Sequence, residues 1–160
     1  MKNLLFSFAL LASALNAQPL WQKTTVGMPI KQAQEMFPES KLTSDARDGR
    51  MLRLATRIDD HKFNVILAFD KTDRLESVRL FLDEQLDSSA AATIFQELAT
   101  LLRIKYGKET SSTNELGIRT LTTWQTPEHT SIVLDWLSVG YHNEMNLSYS
   151  AALNKEADKL

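Results

Sequence analysis

Three short runs of alternating hydropathy between residues 52 and 82 limit this chain more than any other feature. Leu52, Leu54, Thr56 and Ile58 alternate with Arg53, Ala55 and Arg57. Phe63, Val65, Leu67 and Phe69 alternate with Asn64, Ile66, Ala68 and Asp70, and Val78, Leu80 and Leu82 with Arg79, Phe81 and Asp83. A period of two with one apolar face is what a half-buried strand of an antiparallel sheet requires. The connections Asp59-Asp60-His61 and Lys71-Thr72-Asp73 are short and polar, so each reads as a hairpin turn.

A short helix is expected before these strands, over Pro29 to Phe37. Gly27 marks a turn, Pro29 suits a first helical position, and Pro38 ends the segment. Lys41 to Arg50 is polar and reads as a loop. A longer helix is expected from Ser88 or Ser89 to Tyr106, where Ala91, Ile94, Phe95, Leu98, Leu101 and Leu102 fall at helical spacing. Ser88 or Ser89 would cap it, Asp87 favours that end of the dipole, and Gly107 would close it. Three more strands then follow, at Ile118 to Gln125, around Ile132 to Trp136 and around Met145 to Tyr149. Thr126-Pro127-Glu128 and Gly140-Tyr141-His142 supply the turns.

The second set repeats the order and spacing of the first. Val65 and Ile132 lead the middle strands, and Leu80 and Leu147 stand at a matching offset in the third strands. The expected fold class is therefore α+β: two helix-plus-three-strand units, about 21–85 and 86–153, forming one antiparallel sheet with the helices on one face. Residues 18–153 would form a single domain, and 154–160 a polar tail.

The segment Met1 to Ala17 has the pattern of a cleavable secretory signal. Lys2 is basic, Leu4 to Leu15 is uncharged, and Ala12-Ser13-Ala14 and Leu15-Asn16-Ala17 both offer small residues, so cleavage is expected after Ala14 or Ala17. The apolar run is shorter than the roughly 20 residues a membrane span needs, so the mature chain is expected to be periplasmic and not inserted in the membrane. The chain has no cysteine, which excludes disulfides, thiolate zinc sites and a thiol nucleophile. The net charge is −2 with both signs mixed along the chain, which gives nucleic-acid or anionic-membrane binding little support.

Trp21, Val26-Gly27-Met28 before a short helix, and Phe37-Pro38 resemble the opening of exported small proteins of the BamE (SmpA/OmlA) type. The doubled helix-plus-strands order also resembles the β-lactamase inhibitor protein fold. Lys105-Tyr106-Gly107 closing the second helix, with Trp124 on the next strand, is similar to uncharacterised periplasmic relatives of this group. The resemblance implies binding work in the envelope, either scaffolding of membrane-protein assembly or inhibition of an enzyme. The chain has no cysteine for lipid attachment and carries the unit twice.

Candidate chemistry is sparse. His61, His129 and His142 fall in expected turns, and Asp59-Asp60-His61 reads as solvated punctuation and not as a metal site. No Gly-x-Ser-x-Gly elbow accompanies the many serines and threonines. Asp135 is expected on the outer face with Val133 and Leu137, ion-paired to an Arg or Lys of a neighbouring strand. No catalytic, cofactor or metal residues are assigned.

The outer sheet face is the best candidate, with Arg53, Arg57, Ile66, Arg79, Phe81 and Asp135 as partner-binding residues beside Asn64, Val133, Leu137 and Asn146. Mixed apolar and Arg side chains on a face that helices leave open suit a protein interface. The expected function is a non-enzymatic module binding an envelope or periplasmic protein, as inhibitor, immunity factor or assembly accessory. It would use that face or the Lys41–Arg50 segment, and a homodimer partner is a further candidate occupant. Two alternatives are a small hydrolase using Asp135 and a turn histidine, and a small-ligand carrier with a pocket lined by Phe63, Phe95, Trp136 and Tyr149.

Overall fold

The computed structural model describes residues 18–45 and 49–152. The signal segment 1–17 and the tail 154–160 lie outside the described residues. The element order is α1 (Ile30–Met36), β1 (Lys41–Asp45), β2 (Gly49–Ile58), β3 (His61–Phe69), β4 (Leu75–Leu82), α2 (Ser88–Tyr106), β5 (Ser111–Glu115), β6 (Arg119–Gln125), β7 (Thr130–Val139) and β8 (His142–Ala151). All eight strands form one sheet in the order β1-β2-β3-β4-β8-β7-β6-β5, antiparallel at every pairing.

This corrects the expected fold class. The protein is mostly β, with two helices, and it is not built of two α+β helix-plus-three-strand units. Each helix is followed by four strands, and the alternation predicts neither β1 nor β5. The α+β description attached to the BamE resemblance is corrected by the same observation. The physical reason lies at the sheet edges. β5 is Ser-Ser-Thr-Asn-Glu, exposed along its whole length. β1 lies at the opposite edge and has Leu42 as its only apolar residue, itself 45% exposed. A strand wet on both faces has no apolar stripe to reveal it. Short polar edges also discourage pairing with other chains.

The inner face is a continuous core. Leu52, Phe63, Val65, Leu67, Val78 and Leu80 from the first half join Trp124, Ile132, Leu134, Met145, Leu147 and Tyr149 from the second. Ile30 and Ala33 of α1 and Ala91, Ile94, Phe95, Leu98 and Leu102 of α2 belong to the same cluster. α1 begins at Ile30, with Pro29 extended just before it. α2 is capped by Asp87, whose carboxylate accepts from the Ala90 N–H at 2.8 Å, and Ser88 is its first helical residue. The Gly107 N–H donates to the Arg103 carbonyl with φ +82°, a conformation that favours glycine.

The segment 18–28 ties the two halves together. The Thr130 hydroxyl donates to the Pro19 carbonyl at 2.6 Å. The Gln18 side chain donates to the His129 carbonyl at 2.6 Å. At its other end the Gly27 N–H donates to the Leu75 carbonyl, and the Leu75 N–H to the Met28 carbonyl. Trp21 stacks on Phe37 with ring centroids 5.7 Å apart.

The exit from α2 is fixed by a bidentate pair. Arg103 donates from Nε and Nη2 to Glu109 at 2.9 and 3.2 Å. That pairing, helped by a backbone hydrogen bond, holds the Glu109 carboxyl down at about 2. A carboxylate depressed in the folded state stabilises fully above its unfolded value of 4.5, and this contribution is lost as pH falls through about 2. Melting temperatures between pH 2 and 6 should therefore show Glu109→Gln below wild type near pH 6, with the gap closing toward pH 2. A constant gap would mean that the pair does not carry this contribution.

Candidate partner-binding face

The strand register places the outer-face residues in rows across the sheet. One row runs Lys41, Arg53, Ile66, Arg79, Ser148, Val133 and Thr123. The next runs Ala55, Asn64, Phe81, Asn146, Asp135 and Leu121. Arg57 faces Lys62 one step further along. The buried residues of both helices pack with the opposite, inner face. Arg53, Ile66, Arg79, Phe81 and Asp135 thus share the outer face as expected, together with Arg57.

Between the first rows lies a hollow of about 590 Å³, lined by Lys41, Arg53, Ala55, Asn64, Ile66 and Phe81, with Glu39 also on its wall. Ile66 and Phe81 are half-buried, while Lys41, Arg53 and Arg57 are exposed. An apolar floor with Lys41, Arg53 and the Glu39 carboxylate on its walls combines an anchor point with charge selectivity.

The charges here are arranged against the fold's own interest. Lys41 sits directly opposite Arg53 across β1–β2, and Arg57 directly opposite Lys62 across β2–β3. Like charges in directly opposite positions destabilise a sheet. Lys62 has relief from Asp83 at 2.8 Å, an ion pair that holds the Asp83 carboxyl below the usual carboxylate range. Arg53 donates to the Thr43 hydroxyl at 3.3 Å and Arg57 to the Asp60 carbonyl at 2.8 Å. Among the described residues neither guanidinium has a carboxylate partner.

Two members of this cluster escaped sequence reasoning. Lys41 reads as a loop residue because β1 has no apolar stripe. Lys62 follows from extending the alternation Asn64–Ile66 by one step along β3, so its signal is present in the sequence. The Lys41–Arg50 segment, expected as a loop, is a hairpin of β1 and β2 around residues 46–48, which lie outside the described residues.

Asp135 has the expected partner. Arg119 donates to it from Nε and Nη2 at 2.8 and 2.6 Å. Asp135 pairs with Asn146, whereas His142 pairs with Val139. Four residues of strand, about 13 Å, therefore separate the two positions, beyond hydrogen-bond reach. His129 lies further still in the other direction, just before the first residue of β7.

The histidines differ from expectation in one respect. His61 and His142 are the first residues of β3 and β8 and not turn residues, and His129 alone lies in a connection. His61 stands 3.4 Å from Glu84 and 3.6 Å from Glu97, and His142 2.8 Å from Glu144. Among the described residues no group of three or more His, Asp or Glu could hold a metal ion.

Phe63, Phe95 and Tyr149, expected to line a carrier pocket, are buried in the core, and Trp136 packs on Phe95 at 6.0 Å. Burial pushes the Tyr149 hydroxyl far above the ordinary tyrosine range.

Two other surface features compete with this face. A cleft of about 1010 Å³ opens where β4 and β8 part, lined by Asp83, Glu84, Asp87 and Glu144 among others. Each of those carboxylates is engaged within the fold, by Lys62, by His61 and the Lys62 N–H, by the α2 N-terminus and by His142. At one end of the sheet, Leu116, Ile118, Val139 and Tyr141 are exposed on two hairpin turns. The Ser138 N–H, donating to the Ile118 carbonyl at 2.7 Å, links these turns.

No family model matches the chain, and no curated protein or solved structure matches it either. What the outer face can bind has to be read from its own charges and shape.

Proposed function

We propose that this protein is an exported, non-enzymatic binding module that engages an envelope protein through the outer face of β1–β4, as inhibitor, immunity factor or assembly accessory. One observation carries the reading. Arg53, Arg57, Ile66 and Phe81 converge on a face with an apolar hollow and exposed cations, on the side of the sheet away from both helices. Arginine and aromatic side chains supply most anchoring energy at protein interfaces. Export is supported by the pattern of Met1 to Ala17. Among the described residues no helix is long and apolar enough to cross a membrane.

The hydrolase alternative is disfavoured by the bidentate hold of Arg119 on Asp135 and by its separation from the histidines. The carrier alternative is disfavoured by the packing of Phe63, Phe95 and Tyr149 within the core.

The test is affinity capture from envelope extract on the chain from Gln18 onward, beside Arg57→Glu/Phe81→Ala. The expected result is one stoichiometric partner that survives moderate salt on wild type and is lost on the double variant, with unchanged circular dichroism. Equal capture by both would remove the outer face from the reading. A doubled mass in light scattering, abolished by the same variant, would make the partner a second copy.

A further inference from the structure

Resting on that reading, the like-charged pairs on the outer face narrow the partner's chemistry. We infer that the segment seated there is an extended, acidic stretch of protein, with two carboxylates about 13 Å apart flanking an apolar side chain.

The argument starts from cost. Lys41 against Arg53 and Arg57 against Lys62 are two directly opposed cation pairs on adjacent strands. Of these four cations, Lys62 alone gains a carboxylate among the described residues, Asp83 at 2.8 Å. The whole chain is acidic, at −2, so the basic character of this face is a local segregation and not a reflection of composition. Among the described residues no carboxylate pairs with Arg53 or Arg57, and a carboxylate from outside would relieve both opposed pairs.

Geometry sets the spacing. Arg53 and Arg57 point to the same face four residues apart on β2, about 13 Å along the strand. The hollow floored by Ala55, Ile66 and Phe81 lies at the Arg53 end of that interval. An extended peptide repeats its side-chain direction every second residue, so acids at the first and fifth positions match the two arginines. The third position then falls over Ala55 and Phe81. Bidentate acceptance by carboxylates suits the fixed fork of arginine. The overall negative charge weighs against a polyanion as long as nucleic acid, which draws on a broad positive field.

The test uses the chain from Gln18 onward, isotope-labelled, and the probe Glu-Thr-Phe-Thr-Glu with blocked ends. The expected result is saturable amide shifts at Arg53, Ala55, Ile66 and Phe81. Affinity should fall roughly tenfold in Arg53→Gln/Arg57→Gln and weaken steadily with added salt. The neutral double variant removes charge without reversing it, and its unchanged amide spectrum elsewhere shows that it folds. Equal binding of Gln-Thr-Phe-Thr-Gln would overturn the acidic chemistry, as would tighter binding of a ten-residue oligothymidine at the same amides. Absence of shifts at millimolar peptide would overturn the proposal too. The broader binding reading falls separately, only if capture from envelope extract is indifferent to Arg57→Glu/Phe81→Ala.

Discussion

Trp124→Ala is expected to lower stability by about 3–5 kcal/mol, the range for truncating a large buried aromatic. Trp124 is fully buried on β6, against the part of the core that α2 covers. Its indole N–H donates to the Gly107 carbonyl at 3.1 Å, so it also fixes the point where the chain leaves the helix. The alanine variant leaves a void and removes that donor, adding about 1 kcal/mol for the lost bond. Single domains have only about 5–15 kcal/mol in hand. The urea midpoint should therefore fall by more than about 1 M, or the variant should be unfolded in buffer. Trp124→Phe retains most of the bulk and should lose less than half as much. A midpoint shift for Trp124→Ala no larger than for Trp124→Phe would contradict the packing account.

Leu80→Ala is expected to destabilise both halves of the molecule together, by about 2–5 kcal/mol. Leu80 is fully buried and faces Leu147 across β4–β8, among the described residues the one strand pairing that joins the first four strands to the last four. Its side chain thus lies at the seam of the core. Trp21 reports on the first half and Trp124 on the second, and both are buried. Followed by nuclear magnetic resonance in one Leu80→Ala sample that keeps every tryptophan, the indole N–H signals of Trp21 and Trp124 should be lost at the same lower urea midpoint. Separate transitions, with only one half affected, would mean that the seam does not couple the halves.

The legible part of the fold is the part with one dry face. β2, β3, β4 and β7 are legible because inner side chains such as Leu52, Phe63, Leu80 and Leu134 enter the core, although Met51 and Ala68, paired on the opposite parity, are buried as well. β1 and β5 carry no such signature, since an edge strand without a dry face obeys only backbone hydrogen bonding. For the same reason β6 begins at Arg119 and not at Ile118, which lies half-exposed in the turn before it.

The candidate site divides along the same line. Parity along one strand was enough to place Arg53 with Arg57, and Arg79 with Phe81, on one face. Which residues stand beside them depends on register between strands, set by turns and bulges that leave little trace in composition. The opposition of Lys41 to Arg53, the clasp of Arg119 on Asp135 and the pairing of Lys62 with Asp83 all belong to that second kind.

The contacts of the segment 18–28 impose an order on assembly. Pro19 and Gln18 meet residues 111 positions away, at Thr130 and His129. A chain emerging amino-terminus first therefore holds its opening residues unsatisfied until β7 has been delivered. Closure of such sequence-distant contacts slows folding. Late closure makes arrival of the carboxy-terminal strands the event that locks the sheet.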